Sequence, residues 1–250
     1  MPYYDFRSPR VYLPAPLIHG EQVRLEQPQA HYLMHVLRLK SGDSVLAFNG
    51  RDGEWRTTIF AERRNTGLQP VEQTRAQTMP GDLHYLFAPL KHARLDYMVQ
   101  KSTEMGASRL QPVLTRHTQV TRLNTERMRS NAIEAAEQCG ILNVPEIAEP
   151  ASLAAAIAAL EPKRLLVFCD EDAEVADPLA ALAAARQSGE ERPPIAVLIG
   201  PEGGFAEDER VLLRGRLRVT RLALGPRILR ADTAGVAALT LVQAALGDWK

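Results

Sequence analysis

A chain of 250 residues suffices for one large domain or two modest ones, and a make-up of 45% hydrophobic and 24% charged residues is that of an ordinary globular protein. The formal net charge of +0 demands no polyanionic partner, but residues 81–130 carry eight Lys and Arg against four Asp and Glu, which leaves a local basic face open. No apolar run is long enough to span a bilayer, the start Met1-Pro-Tyr-Tyr-Asp5 lacks a signal-peptide pattern, and the two cysteines have no metal-ligand spacing, so a reducing cytoplasm is expected.

Up to about residue 75 the chain reads as β-rich. Strands are expected over Gln22–Leu25, Ser44–Phe48 and Glu54–Phe60, separated by the turn signals Ser41-Gly42-Asp43, Asn49-Gly50 and Asp52-Gly53. One helix is predicted over Pro28–Leu39, where Leu33, Val36 and Leu37 form an apolar stripe. Short strands with one helix suggest a small barrel or a curled sheet. The stretch Gln69–Asp82, with Pro70, Pro80 and Gly81, reads as a linker and divides the chain into residues 1–75 and 76–250.

Beyond it, strands and helices alternate. Strands are expected at Leu83–Ala88, Arg109–Leu114, Arg164–Cys169, Ile195–Ile199 and Val219–Leu224. Helices are expected at Arg94–Met105, Thr125–Cys139, Leu153–Leu160, Pro178–Gln187, Glu207–Arg214 and Thr233–Leu246. Continuous apolar strands such as Ile195-Ala-Val-Leu-Ile199 belong in sheets covered on both faces, so the second domain is expected to be α/β with a mainly parallel sheet. No internal repeat is visible, and Cys139 and Cys169 are expected to be small buried apolar residues.

Ligands of a parallel sheet bind beyond the carboxyl ends of its strands. Two such ends stand out. After Ile199 comes Gly200-Pro-Glu-Gly-Gly-Phe205, a loop that offers main-chain groups to a polar ligand and adds the Glu202 carboxylate; a tight strand-to-helix turn would use the same glycines. It is neither a Walker A loop nor a dinucleotide fingerprint. After Leu224 comes Gly225-Pro-Arg-Ile-Leu-Arg230, in which Ile228 and Leu229 can wall an apolar slot, such as one for an adenine ring, with Asp232 and Thr233 as candidate N-caps of the next helix.

With the segments His31-Tyr-Leu-Met-His-Val-Leu-Arg38, Lys101-Ser-Thr-Glu-Met-Gly106, Glu137-Gln138, Ile199–Phe205 and Leu224–Ala234 in this order, the chain resembles the RsmE family over nearly its whole length. These are bacterial small-subunit ribosomal RNA methyltransferases that modify uridine at N3. The resemblance implies a PUA-like RNA-binding β-barrel domain at 1–75 and a SPOUT-type, trefoil-knotted α/β methyltransferase domain at 76–250. It also implies a homodimer with the cofactor site near the subunit interface, and ribosomal RNA as the partner. S-adenosyl-L-methionine is then expected against Leu198, Ile199, Gly200, Glu202, Gly203 and Gly204, and against Leu224, Gly225, Pro226, Ile228, Leu229 and Arg230. This chain departs from the family where Ala231-Asp232 replaces Thr-Glu, and where Ile141 stands in place of an arginine that often follows Glu-Gln.

Methylation at N3 requires loss of an imide proton, and an arginine beside the cofactor can stabilise the anion. Arg230 is the candidate, with a salt bridge to Asp232 or Glu202 as the alternative role. Asp232 is a candidate proton acceptor, or it orients Arg230 or caps the helix. The target base must be unpaired or turned out. Arg7, Arg10, Arg38 and Lys40 in the first domain, and Lys91, Arg94, Lys101 and Arg116 in the second, are taken as a group for RNA contact. His31 and His35 sit four apart on the predicted helix, but with no third ligand evident they are assigned to packing or RNA contact, and no metal is expected. The alternatives are ribose 2′-O methylation with the same pocket, or a non-catalytic RNA-binding assembly protein.

Overall fold

The computed structural model describes residues 5, 7–62, 65–120, 122–174, 177–187 and 189–249. It divides into two compact units, residues 1–79 with 136–144, and residues 80–135 with 145–250.

In the N-terminal unit the strands are β1 (Arg10–Tyr12), β2 (Val23–Arg24), β3 (Ser44–Phe48), β4 (Glu54–Glu62) and β5 (Asn65–Arg75), ordered β1-β3-β4-β5-β2. Helix α1 (Gln27–His31) runs into a π-turn over Tyr32–Val36. The helix expected to Leu39 therefore stops short. Leu37 N–H bonds to Tyr32 O and Leu39 N–H to Leu33 O, and Arg38 takes a left-handed φ of 58° that no helix continues through. The sheet's inward residues Val11, Val45, Ala47, Ile59 and Leu68 close on Leu33 to form the core.

The expected linker was wrong over Gln69–Arg75, which forms the second half of β5. Pro70 discouraged a strand there, but the pairing of β4 with β5 shifts register between Arg56 and Thr57, opposite Glu72 and Pro70. The missing N–H thus falls at an irregularity where the ladder tolerates it. Residues 136–144 belong to this unit as well: Ala136 and Leu142 bury against Phe48, and Tyr12 N–H donates to Glu137 Oε1 at 2.8 Å. Cys139 is exposed and Cys169 only half-buried, against the expectation that both are buried. Cys139 follows the last turn of a helix, where the chain turns outward.

The C-terminal unit contains β6 (Leu83–Phe87), α2 (His92–Glu104), β7 (Arg109–Leu114), α3 (Thr125–Gln138, whose end belongs to the first unit), β8 (Glu146–Ile147) and β9 (Ala151–Ser152). There follow α4 (Leu153–Ala158), β10 (Leu165–Cys169), α5 (Pro178–Ala185), β11 (Ile195–Ile199), α6 (Glu207–Arg214), β12 (Val219–Leu222) and α7 (Ala231–Ala245). Strand order is β12-β10-β11-β6-β7-β8, with β9 also on β7, and every pair is parallel. Leu86, Leu166, Phe168, Ala196 and Leu198 face α4 and α6. By strand alternation Tyr85, Val167 and Val197 face the other side, where α7 packs so closely that a Cβ on Gly235 would lie 2.3 Å from the Tyr85 hydroxyl. A sheet covered on both faces leaves its strand ends as the place for a ligand.

Candidate active site

Strands β12, β10 and β11 are neighbours, and a cleft of ≈ 550 Å³ opens over their carboxyl ends. One wall is the loop Gly200–Phe205. Its Phe205 ring is buried edge-on to Phe168, centroids 5.1 Å apart, and a Cβ on Gly200 would come within 2.5 Å of it. Gly204 N–H bonds to Pro201 O at 2.9 Å, and Gly204 adopts a left-handed φ of 67°. The loop is braced from outside. Glu209 on α6 accepts from Ala206 N–H at 2.9 Å and from Arg116 N–H at 2.8 Å, and His117 Nδ1 lies 3.1 Å from Gly204 O.

The opposite wall is the segment after β12. Among the described residues, the main chain of Leu224–Leu229 makes no hydrogen bond, so its amides and carbonyls are available to a ligand. Ile228 is 97% exposed beside Leu229, which is half-buried. An isoleucine this bare at a cleft wall favours apolar cover.

Between the walls the end of β10 supplies Cys169, Asp170 and Glu171, which the sequence reading missed. The signal was present: Asp170-Glu171-Asp172 is an acidic run directly after a buried strand. Asp170 is fully buried and accepts from Arg221 Nε at 3.0 Å and Nη2 at 2.7 Å. Arg210 of α6 pairs with Glu171 at 2.7 Å and with Asp172, and donates from Nε to Phe205 O at 3.2 Å. Arg210 therefore locks the β10 turn to the glycine loop. Cys169 is half-buried as a residue, but burial of its thiol, and then the neighbouring Asp170, push that group up to about 12.

Of the residues expected at the cofactor site, Ile199, Gly200, Glu202, Gly203 and Gly204 line the cleft, as do Leu224, Gly225, Pro226, Ile228 and Leu229. Leu198 does not: strand alternation turns its side chain into the core beside Phe168. Arg230 is exposed at the N-cap of α7 and lies outside the cleft lining, although its chain neighbours Leu229 and Ala231 belong to it. No ion pair of Arg230 with Asp232 or Glu202 forms, and Glu202 pairs with Arg94 instead at 2.7 Å. Neither Asp232 nor Thr233 is the N-cap, because α7 begins two residues earlier than the Asp-Thr pair suggested. Asp232 sits in the first turn, where its charge suits the helix dipole, and its Oδ1 accepts from Thr233 N–H at 2.9 Å.

The expected RNA contacts separate. Arg7, Arg38 and Lys40 are exposed on the N-terminal unit, whereas Arg10 is half-buried, with its side chain enclosed against Glu54. On the other unit Lys91 is exposed, Lys101 pairs with Glu104, and Arg116 pairs with Asp208. The His31 and His35 rings lie 5.0 Å apart. Among the described residues no group of three or more His, Cys, Asp or Glu is placed to hold a metal, and no helix is long and apolar enough to cross a membrane.

A parallel α/β sheet with a ligand cleft at three strand ends, joined in one chain to a small β unit, fits an RNA methyltransferase with a PUA domain. The family model of the RNA methyltransferase domain matches residues 77–243, and that of the RNA methyltransferase PUA domain matches residues 25–67. Ribosomal RNA small subunit methyltransferase E of Synechocystis is 30% identical, covering 90% of this chain and 73% of the relative. The protein of that name from Rickettsia conorii is 28% identical, covering 94% of each. Among solved structures, a Legionella pneumophila protein described as a methyltransferase, in complex with the bound cofactor SAM, is 27% identical with a TM-score of 0.81, covering 96% of this chain and 98% of its own. The chain belongs to the ribosomal RNA small subunit methyltransferase E family.

Proposed function

We propose that this protein transfers the methyl group of S-adenosylmethionine to N3 of a uridine in 16S ribosomal RNA of the small subunit, and that it works as a homodimer with the knotted topology implied by its resemblance. The observation that carries the reading is the cleft, where the hydrogen-bond-free main chain of Leu224–Leu229 faces a glycine loop. Its residues fit the cofactor. Main-chain groups of Leu224–Leu229 would meet the hydrogen-bonding edges of an adenine and a ribose, Ile228 and Leu229 would cover an apolar ring, and Gly203 and Gly204 put no side chain of their own into the cleft they line. When bound, S-adenosylmethionine supplies an already activated methyl group.

The rest of the task falls to the chain. The two walls orient the reactants, and orientation supplies much of the rate. Arg230, next in sequence to the cleft and free of ion pairs among the described residues, stabilises the uridine anion once the N3 proton has passed to Asp232, two residues on in the first turn of α7, or to water. The basic side chains Arg7, Arg38, Lys40 and Lys91 contact phosphates.

RNA from cells lacking the protein, mapped by mass spectrometry, is expected to have lost one N3-methyluridine of 16S ribosomal RNA. Full retention would falsify the assignment, and loss of a ribose methyl group instead would redirect it to 2′-O chemistry. Calorimetry checks the cleft: Gly203→Trp, on a backbone with no positive φ but with the new Cβ 3.2 Å from His117 Cβ, is expected to fold after a small shift of His117 and no longer to bind S-adenosylmethionine, with circular dichroism confirming the fold.

A further inference from the structure

The N-terminal unit has a cavity of its own, of ≈ 230 Å³, whose lining includes Arg7, Arg10, Tyr32, Glu54, Arg75 and Glu137. Arg10 is its unusual member. The side chain is only 7% exposed and stands 5.1 Å over the Phe48 ring, with Nη2 2.8 Å from Glu54 Oε2. That approach is too bent to count as a hydrogen bond, so charge alone holds Nη2, and among the described residues Nε and Nη1 have no acceptor. Glu54 is already engaged, since its Oε1 accepts from Arg75 Nε and from Thr74 Oγ1, each at 2.9 Å. A buried guanidinium with unmade hydrogen bonds is costly unless something enters to accept them.

The charge of the lining says what enters. Arg7, Arg10 and Arg75 stand against Asp5, Glu54 and Glu137, three cations to three anions, so the cavity as a whole does not attract a phosphate. A neutral group with carbonyl acceptors suits it better, with the Gln138 amide also in the lining to meet ring N–H and C=O edges. At the margin stands Tyr32, an aromatic ring left 41% exposed. It belongs to the π-turn that ends in the left-handed Arg38, and such irregular turns recur at functional sites. Exposed Arg7 is in reach of a strand's phosphate at the same lining.

We propose that this cavity is a base-reading subsite: it takes one unstacked nucleobase of the RNA, with a base carbonyl on Arg10 and the ring against Tyr32, separate from the cofactor cleft of the C-terminal unit. The proposal rests on the reading of the protein as an RNA-modifying enzyme. It is tested on the full chain by fluorescence anisotropy, using a short oligouridylate and the matching abasic ribose-phosphate oligomer at one salt concentration. The wild type is expected to bind the oligouridylate about tenfold more tightly than the abasic oligomer, the order of one base stacked on an aromatic side chain. Tyr32→Ala removes that advantage and leaves abasic binding unchanged, Tyr32→Phe keeps it, and Arg10→Lys reduces it. Equal binding of the two oligomers by the wild type, or a base advantage that survives Tyr32→Ala, overturns the subsite. Calorimetry with S-adenosylmethionine on the same preparations separates the two ideas. Intact cofactor binding with no base advantage sinks the subsite alone, whereas absent cofactor binding in the wild type sinks the methyltransferase reading.

Discussion

At the scale of single residues, charge placement governs both chemistry and stability. Arg230 lies outside the cleft lining, so Arg230→Ala is expected to leave S-adenosylmethionine affinity unchanged while lowering kcat by about a hundredfold, the usual loss when one transition-state donor is removed. Titration calorimetry beside single-turnover kinetics reads the two separately, and weakened binding at an unchanged rate would remove Arg230 from the chemistry. His84 acts on stability. Burial first and the Arg164 charge second hold its pKa down from 6.5 to about 4, outweighing Asp82, whose Oδ1 is 3.5 Å away and pulls the other way. The unfolded chain binds this proton at higher pH than the folded one. Stability is therefore full above pH 6.5 and declines as pH falls towards 4, by roughly 3 kcal/mol at the limit. Thermal melts across that window should show a smaller decline for His84→Asn; parallel curves for the two proteins would refute the linkage.

At the scale of elements, the helices and the longer strands were legible because each repeats its pattern over several turns or pleats. Ser44–Phe48, Arg109–Leu114, Ile195–Ile199 and Glu207–Arg214 have the same ends in sequence and structure. Strands β1, β8 and β9, of two or three residues, are too short to show a period, and β5 was hidden by its proline. The end of α6 nearest the cleft depends on one carboxylate. Ala206 has no side-chain acceptor, so Glu209 alone caps its N–H while also holding Arg116 N–H. Glu209→Ala is expected to destabilise the protein by about 1–2 kcal/mol. Because the loop Gly200–Phe205 leads into this helix, S-adenosylmethionine affinity should fall with it. Urea denaturation and calorimetry report the two effects, and a loss of stability with full affinity would mean that the cap does not support the loop.

At the scale of the molecule, the chain leaves its first unit near residue 79 and supplies residues 136–144 to it later. Ala136 and Leu142 then complete the cluster around Phe48. A fragment of residues 1–79 should accordingly unfold with a shallow, poorly cooperative transition, and the same fragment joined to 136–144 through a flexible linker should unfold sharply. Identical urea curves for the two would show the returning segment to be dispensable. What the sequence determined by itself was local or periodic: the alternation of strands and helices, the two Gly-Pro loops, and the family to which their motifs point. Tertiary structure decided what depends on neighbours remote in the chain. It set β10 between β12 and β11, bringing Asp170 and Glu171 into the cleft, and it buried the Arg10 side chain against Glu54. It also turned Leu198 into the core while its neighbour Ile199 lines the site. Strand order and side-chain facing are properties of pairing across the sheet, and residues that meet only there leave no mark on the order in which they are written.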